Sequence, residues 1–388
     1  MEALVLAGPR ASGKTTVGRA LEQTGRFKVV PAVTTRPARK DDQAGQYSHI
    51  SDSEFDALPK GGLLTNVSYA GHRYALTAAA VTAARKGGVT PVLVVTPDAA
   101  ESLAQRRDEK SGEFQFVTVF LESSDDELDR RLNERGDKST PQARAKQRKQ
   151  DRTLARQCTY VLVNREIEST VEAVKVLWDF RRSSGILPSR VTKALLACDC
   201  ILVNWSEKSI KGASYDLRLG DEYFQHGNIQ RLGEDKPFLV VEPYDYAIVT
   251  TAEECSFPSD LAGRFDLSVK LFQQGMILSN GTQVDPGFHG RLTALLFNTS
   301  SSRVMLKRAQ HLATLELHKM AEPTQPYAGG NFGKTLLDYL PANAATGAVH
   351  ELKKEIDELK GQNRLLLDLT WALLAFFVAI VTLIVGLR

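Results

Sequence analysis

Gly8-Pro9-Arg10-Ala11-Ser12-Gly13-Lys14-Thr15 decides how this chain is read. Two glycines separated by four residues and followed by Lys-Thr form the pattern of a loop that curls around phosphate. The apolar run Ala3-Leu4-Val5-Leu6-Ala7 before it predicts a buried strand. Val17, Ala20 and Leu21 after it predict a helix with one apolar face. In that setting the backbone N–H groups from Gly8 to Gly13, the hydroxyls of Ser12 and Thr16 and the helix N-terminus face an anion. Lys14 reaches the outer phosphates of a nucleoside triphosphate, and the Thr15 hydroxyl is the group to hold Mg²⁺. ATP and Mg²⁺ are the expected cofactors. A glycine-rich turn without a ligand is the alternative.

The 388 residues suggest two to three domains. Hydrophobic content of 43% and charged content of 24% exclude a fibrous or wholly disordered chain. A net charge of +3 does not call for nucleic acid as a partner. Four scattered cysteines make no disulfide scaffold and are expected as reduced thiols in a cytosolic body. The N-terminus has neither a basic region nor a long apolar run, so no signal peptide is expected.

Beyond the loop stand Val33-Thr34-Thr35-Arg36-Pro37-Ala38-Arg39, then Gly45-Gln46-Tyr47 and Ser53-Glu54-Phe55. Two guanidinium forks on one short segment suit a dianionic phosphate. Ser68-Tyr69-Ala70-Gly71-His72-Arg73-Tyr74, Arg131-Leu132-Asn133-Glu134-Arg135-Gly136 and Tyr160-Val161-Leu162-Val163-Asn164 follow in order. This series resembles the guanylate kinase family over roughly residues 1–182. The resemblance implies that Arg36, Arg39, Tyr47 and Tyr74 clamp the phosphate of an acceptor monophosphate. It also implies that Arg131, Arg144 and Arg148 belong to a lid that neutralises the transferred phosphoryl group. A solvated basic helix is the alternative for the run Lys138 to Arg156. The family reads guanine with acidic side chains, and here the matching stretches are Leu64-Thr65-Asn66 and Val92-Leu93-Val94-Val95-Thr96. The phosphate machinery is kept and base recognition is changed.

After Arg181-Arg182-Ser183-Ser184-Gly185 the texture turns to short apolar runs broken by turns, an all-β pattern. Ala213-Ser214-Tyr215-Asp216-Leu217-Arg218-Leu219-Gly220, Val284-Asp285-Pro286-Gly287-Phe288, Leu295-Leu296-Phe297-Asn298, Gln310-His311-Leu312-Ala313-Thr314-Leu315 and Gly329-Gly330-Asn331-Phe332-Gly333-Lys334 stand in sequence. Together they resemble the dCTP deaminase and dUTPase superfamily, a barrel trimer with sites at subunit boundaries. The resemblance implies nucleotide contacts from Ser214, Asp216, Arg218, Ser268, Lys270, Asp285, Phe288, Asn298, Phe332 and Lys334, with Asp285 catalytic. The deaminase glutamate has no counterpart in Ala294 to Asn298. Nucleotide binding or trimerisation alone, dUTPase-like hydrolysis and deamination stay open in that order.

Leu369 to Leu387 carries no charge and, with Leu365 to Leu367, is long enough to cross a bilayer. Lys353, Lys354, Lys360 and Arg364 precede it, which keeps the large N-terminal body on the cytoplasmic side. Val349, Leu352, Ile356, Leu359, Asn363 and Leu366 follow heptad spacing, as in a self-associating stalk. The expected plan is an α/β P-loop kinase-like domain (1–182), an all-β dUTPase/dCTP deaminase-like barrel (183–340), a linker and stalk (341–364) and a transmembrane helix (365–387). Its expected partners are nucleoside monophosphates, deoxynucleoside triphosphates, the lipid bilayer and two further copies of the chain. The expected activity is ATP-dependent (deoxy)nucleoside monophosphate kinase chemistry joined to a deoxynucleotide-binding barrel. The alternative is a catalytically weak sensor or effector at the membrane, of the kind that would serve bacterial defence against phage.

Overall fold

The structure is a computed structural model that describes residues 2–38, 45–69, 71–105, 114–279, 283–327, 336–338, 340 and 348–386. Its first part is a parallel sheet ordered Phe27–Val29, Thr90–Val94, Glu2–Ala7, Gln115–Glu122, Tyr160–Val163. Leu4, Val5 and Leu6 in the central strand are fully buried, because helices cover both faces. The chain leaves that strand through the Gly8–Thr15 loop and enters the helix Lys14–Glu22, which lays Val17, Gly18 and Leu21 on the sheet. A second sheet, ordered Tyr47–His49, Ala32–Thr34, His72–Thr77, Leu63–Tyr69, stands to one side. The helices Asp125–Glu134 and Pro141–Ala155 occupy the segment that the sequence leads one to expect as a lid. Their starts are fixed locally: Ser124 accepts from the Glu127 N–H, and Thr140 accepts from the Ala143 N–H just before Pro141.

Between Phe180 and Gly185 the architecture turns from α/β to β. Tyr215–Gln225, Tyr246–Ser256, Leu261–Leu267, His289–Asn298 and His311–Lys319 build a curved antiparallel sheet. Burial along His289–Asn298 alternates strictly, so Gly290, Leu292, Ala294, Leu296 and Asn298 face inward. The strand bends where its pairing with Tyr246–Ser256 slips between Thr250 and Glu254.

The two parts share one hydrophobic core. Leu4, Val17 and Trp178 of the first belong to the same buried cluster as Leu195, Tyr215 and Leu315 of the second. The helix Ile167–Phe180 packs on the helix Ser189–Leu196. The Val163 N–H donates to the Cys198 carbonyl at 2.8 Å, and the Tyr160 hydroxyl donates to Asp260. Lys319 Nζ meets the same Asp260 carboxylate at 2.8 Å, with both side chains almost fully buried.

The stalk and the apolar segment are one continuous helix, Ala348–Gly386, where the sequence reading divided them at Arg364. Nothing in Asn363-Arg364-Leu365-Leu366 breaks a helix, so the hydrogen-bond ladder continues through the change in polarity. Within it, Glu355–Ile380 is long and apolar enough to cross a membrane. The linker Pro341–Gly347 lies outside the described residues.

Candidate functional site

A cleft of about 1190 Å³ opens between the Gly8–Thr15 loop, the small side sheet and the lid. The loop can be tight only because of its glycines. Gly8 has φ 146°, and a Cβ there would meet the Leu121 carbonyl oxygen at 2.4 Å. Gly13 has φ 91°, and its Cβ would strike the Asn164 side chain at 2.4 Å. Asn164 braces the loop: its Nδ2 donates to the Ser12 carbonyl at 2.8 Å, and its Oδ1 accepts from Thr170 Oγ1 at 2.8 Å. Arg131 braces it from the lid, donating to the Ala11 carbonyl at 3.1 Å.

Lys14 Nζ donates to the carbonyls of Gly8 at 2.8 Å and Pro9 at 2.7 Å, two acceptors that an anion would outcompete. Burial lowers its ammonium to about 8, with Arg135 and Arg10 adding to the shift and Asp151 opposing it. Ser12 Oγ is buried with no hydrogen-bond partner among the described residues. An orphaned hydroxyl inside a loop of inward-facing amides fits a phosphate. Thr15 Oγ1 accepts from Gln46 Nε2 at 2.9 Å, so the side sheet touches the hydroxyl that could hold a divalent cation.

Across the cleft Arg36 is buried and lies over the Tyr47 ring, 5.0 Å from its centroid. The Tyr47 and Tyr74 rings meet edge to face at 6.4 Å. His49 Nδ1 lies 2.7 Å from the Arg36 carbonyl. Lys14, Thr15, Thr16, Arg36, Tyr47 and Tyr74 therefore line one space, with Lys14 on the phosphate loop and Arg36 beside the side sheet as cations. Arg39 lies outside the described residues. The wall between the two cations is Thr65, Tyr69, Ala75, Leu76, Thr96 and Ala99, and the carboxylates that line the cleft, Glu134 and Asp137, belong to the lid. Behind the wall Asp151 is buried and accepts from the Tyr69 hydroxyl at 3.0 Å and Gln147 Nε2 at 2.9 Å. Burial raises its pKa, while those two bonds and Lys14 hold it down.

Arg144 and Arg148 do not line the cleft. Arg144 donates to Asn133 Oδ1 at 2.7 Å and the Asp137 carbonyl at 2.9 Å; Arg148 donates to Asp129 at 2.8 and 3.2 Å. The physical reason is helix spacing: Asp125 and Asp129 stand one turn apart and face the two arginines of the next helix. Asp137 also pairs with Arg10, which ties the lid to the phosphate loop.

In the barrel the expected residues separate. Asp216 meets His311 and Lys211, each at 3.3 Å. It lies in register with Thr314, which is in register with Asp266. Asp285 follows Val284, the partner of Gly263, so it lies about 13 Å along the strand from Asp266. Gln283 Nε2 donates to Asp285 Oδ1 at 2.8 Å. Arg218 has a partner inside the barrel: its Nε donates at 2.6 Å to Glu253, a fully buried carboxylate that also accepts from the Tyr215 hydroxyl. Asn298, expected as a nucleotide contact, is held inside the barrel. It is fully buried, donates to the Val241 and Ser302 carbonyls at 3.0 and 2.8 Å, and accepts from Ser300. Ser268 is buried, with Oγ unpartnered among the described residues. Lys270 is exposed on the short helix Val269–Gln273, and Ser214 is half-buried. The Phe288 and Tyr327 rings meet at a tilt of 43° with centroids 5.9 Å apart, where residues 326–327 pack on the Asp285–Phe288 turn. Phe332 and Lys334 lie outside the described residues. All four cysteines are free and buried, and burial pushes Cys198 to about 11 and Cys158 to about 12.

Sequence reasoning missed Gln46, Asn164, Asp137 and Glu253. A Glu at position 253 among strand residues of Tyr246–Ser256 was a signal of an internal ion pair; the other three had none.

Residues 1–179 match the guanylate kinase family, and residues 186–320 match the dCTP deaminase-like family. The dCTP deaminase of Pyrococcus horikoshii is 33% identical over 140 residues, 36% of this chain and 88% of that protein. The dCTP deaminase of Thermococcus sibiricus is 32% identical over 34% of this chain and 83% of its own length. Guanylate kinase from Anaplasma phagocytophilum superposes with a TM-score of 0.37 and 25% identity, covering 47% of this chain and 86% of that one. The protein is a fusion of a guanylate kinase-like domain with a β-rich dCTP deaminase-like domain, and through the latter it belongs to the dCTP deaminase-like family. Both domains are of nucleotide-handling kinds.

Proposed function

We propose that the first domain transfers the terminal phosphoryl group of ATP to a nucleoside or deoxynucleoside monophosphate. The observation that carries this is the single cleft with Lys14 and Thr15 at one end and Arg36, Tyr47 and Tyr74 at the other. Lys14 would leave the Gly8 and Pro9 carbonyls for the donor phosphates, and Ser12 Oγ would gain a partner. Thr15 would hold Mg²⁺, whose positive charge offsets that of the phosphates. Arg36, steadied by the Tyr47 ring, would fix the acceptor phosphate in line. The base would lie against Thr65, Tyr69 and Thr96, which offer hydroxyls and no carboxylate; this supports an acceptor other than one read as guanine is read.

The barrel, on this reading, binds a deoxynucleotide and does not deaminate it. Asp266 and Asp216 flank Thr314 where a triphosphate would need cations, and residues 294–298 carry no acid. Exposed Val269 and Phe272 on a short helix support assembly of several copies, a trimer on the family pattern. The helix Ala348–Gly386 would anchor the assembly in a bilayer with the nucleotide domains on the cytoplasmic side. A membrane-bound sensor is the second reading, favoured by those same losses in the barrel.

Arg36→Ala separates the two ends of the cleft. It should weaken monophosphate binding by about 1.5–3 kcal/mol, the scale of a hydrogen bond to a charged group. ATP affinity should stay within twofold or so of the parent. Calorimetric titration with each nucleotide reads both; equal losses would place Arg36 outside the acceptor site.

A further inference from the structure

Gln46 is two things at once: a buried member of the acceptor-side strand region and a neighbour of the phosphate loop. Its carbonyl accepts from the Ala32 N–H at 3.2 Å, which fixes its backbone to the side sheet. The next residue, Tyr47, is the ring over which Arg36 lies. Its side-chain Nε2 crosses the cleft floor and donates to Thr15 Oγ1 at 2.9 Å. The donating N–H places the positive end of its dipole beside that hydroxyl oxygen and occupies one of its lone pairs. A divalent cation needs that same oxygen and demands near-ideal geometry.

Resting on the donor-site reading above, we infer that Gln46 is a positioning residue that caps the metal-binding hydroxyl of Thr15 until the cation displaces it. The cap is built into the strand that carries Tyr47 and reaches Arg36, so placement of the acceptor-side strand and access of the metal to Thr15 change together. Cation loading then includes breaking one hydrogen bond, and the apparent magnesium requirement is higher than the phosphate loop alone would set.

The test is binding of a fluorescent ATP analogue to the full chain in detergent, titrated with Mg²⁺ and read without chemistry. Gln46→Ala removes the donor. Gln46→Met removes it while keeping the side chain's length and packing. Both should lower the half-saturating Mg²⁺ by about two- to tenfold, the worth of one hydrogen bond. Binding of the analogue without metal should not move. The melting temperature of Gln46→Met should match the parent. A half-saturation unchanged in Gln46→Met, or a shift that follows loss of stability across the two variants, overturns the proposal. A parent that binds no analogue with or without Mg²⁺ overturns it together with the donor-site reading. A parent that binds the magnesium complex and phosphorylates no monophosphate defeats the kinase reading alone, and the Gln46 shift is still measured.

Discussion

Lys14 carries a charge whose cost depends on what fills the loop. Its ammonium titrates near 8 in the protein against an ordinary 10.5, because burial outweighs the help of Asp151. Between those values the unfolded chain binds more protons at this site than the folded one, so stability gained from Lys14 rises with pH over that window. Phosphates reverse the balance, since they favour the charged amine. ATP binding at pH 8 should therefore take up about half a proton at this lysine. Calorimetry in buffers of different ionisation enthalpy measures it, and Lys14→Met should abolish the uptake; equal uptake in that variant would assign the proton elsewhere. Lys14 and Thr15 were legible in the sequence because the loop that uses them is eight consecutive residues. Asn164 was not: the carbonyl it braces is 152 residues away, and nothing near Asn164 announces the contact. The partners of Arg218 and Asn298 were hidden in the same way. Both are polar residues in family motifs, yet a buried Glu253 claims one and the Ser300–Ser302 turn claims the other.

The basic run Lys138 to Arg156 was readable as a helix that places Arg144 and Arg148 one turn apart, but the orientation of those arginines was not. That depends on Asp125 and Asp129 meeting Arg148, a match between faces of two helices rather than a local pattern. The same lid is latched to the phosphate loop by Arg10 on Asp137, whose side chain is largely buried, and by Arg131 on Ala11. Asp137→Asn weakens the latch by removing the charge while keeping the size. It should raise amide hydrogen exchange in the helix Pro141–Ala155 of the nucleotide-free protein, because that helix is then held by fewer bonds to the phosphate loop. Exchange in the central strand Glu2–Ala7 should not change. Unaltered exchange in the helix would mean that the latch contributes nothing to lid closure.

At the scale of the whole molecule the two domains were separable on the page but are not separate in the structure. The composition change near Arg182 marked the boundary, and Gly185–Ile186 does begin the pairing with the last barrel strand. The shared core was hidden, because Trp178, Leu195 and Leu315 look like ordinary interior residues of their own domains. Asp260, Lys319 and Tyr160 form a buried junction in which loss of Asp260 or Lys319 would leave an uncompensated charge. The long C-terminal helix, in contrast, is exposed over all of its residues whose burial is described. Deleting residues after 340 should release the chain from membranes and leave a soluble trimer by light scattering. A soluble monomer would remove the trimer from the account, and a truncated chain that still pellets with membranes would remove the anchor. The central claim is phosphoryl transfer within one cleft. Its most direct measurement incubates the full chain in detergent with γ-labelled ATP, Mg²⁺ and each nucleoside and deoxynucleoside monophosphate, and follows label by mass spectrometry. The account predicts a labelled diphosphate from at least one monophosphate, lost in Lys14→Ala. Label that reaches none of the monophosphates, or that reaches one equally in Lys14→Ala, would contradict it.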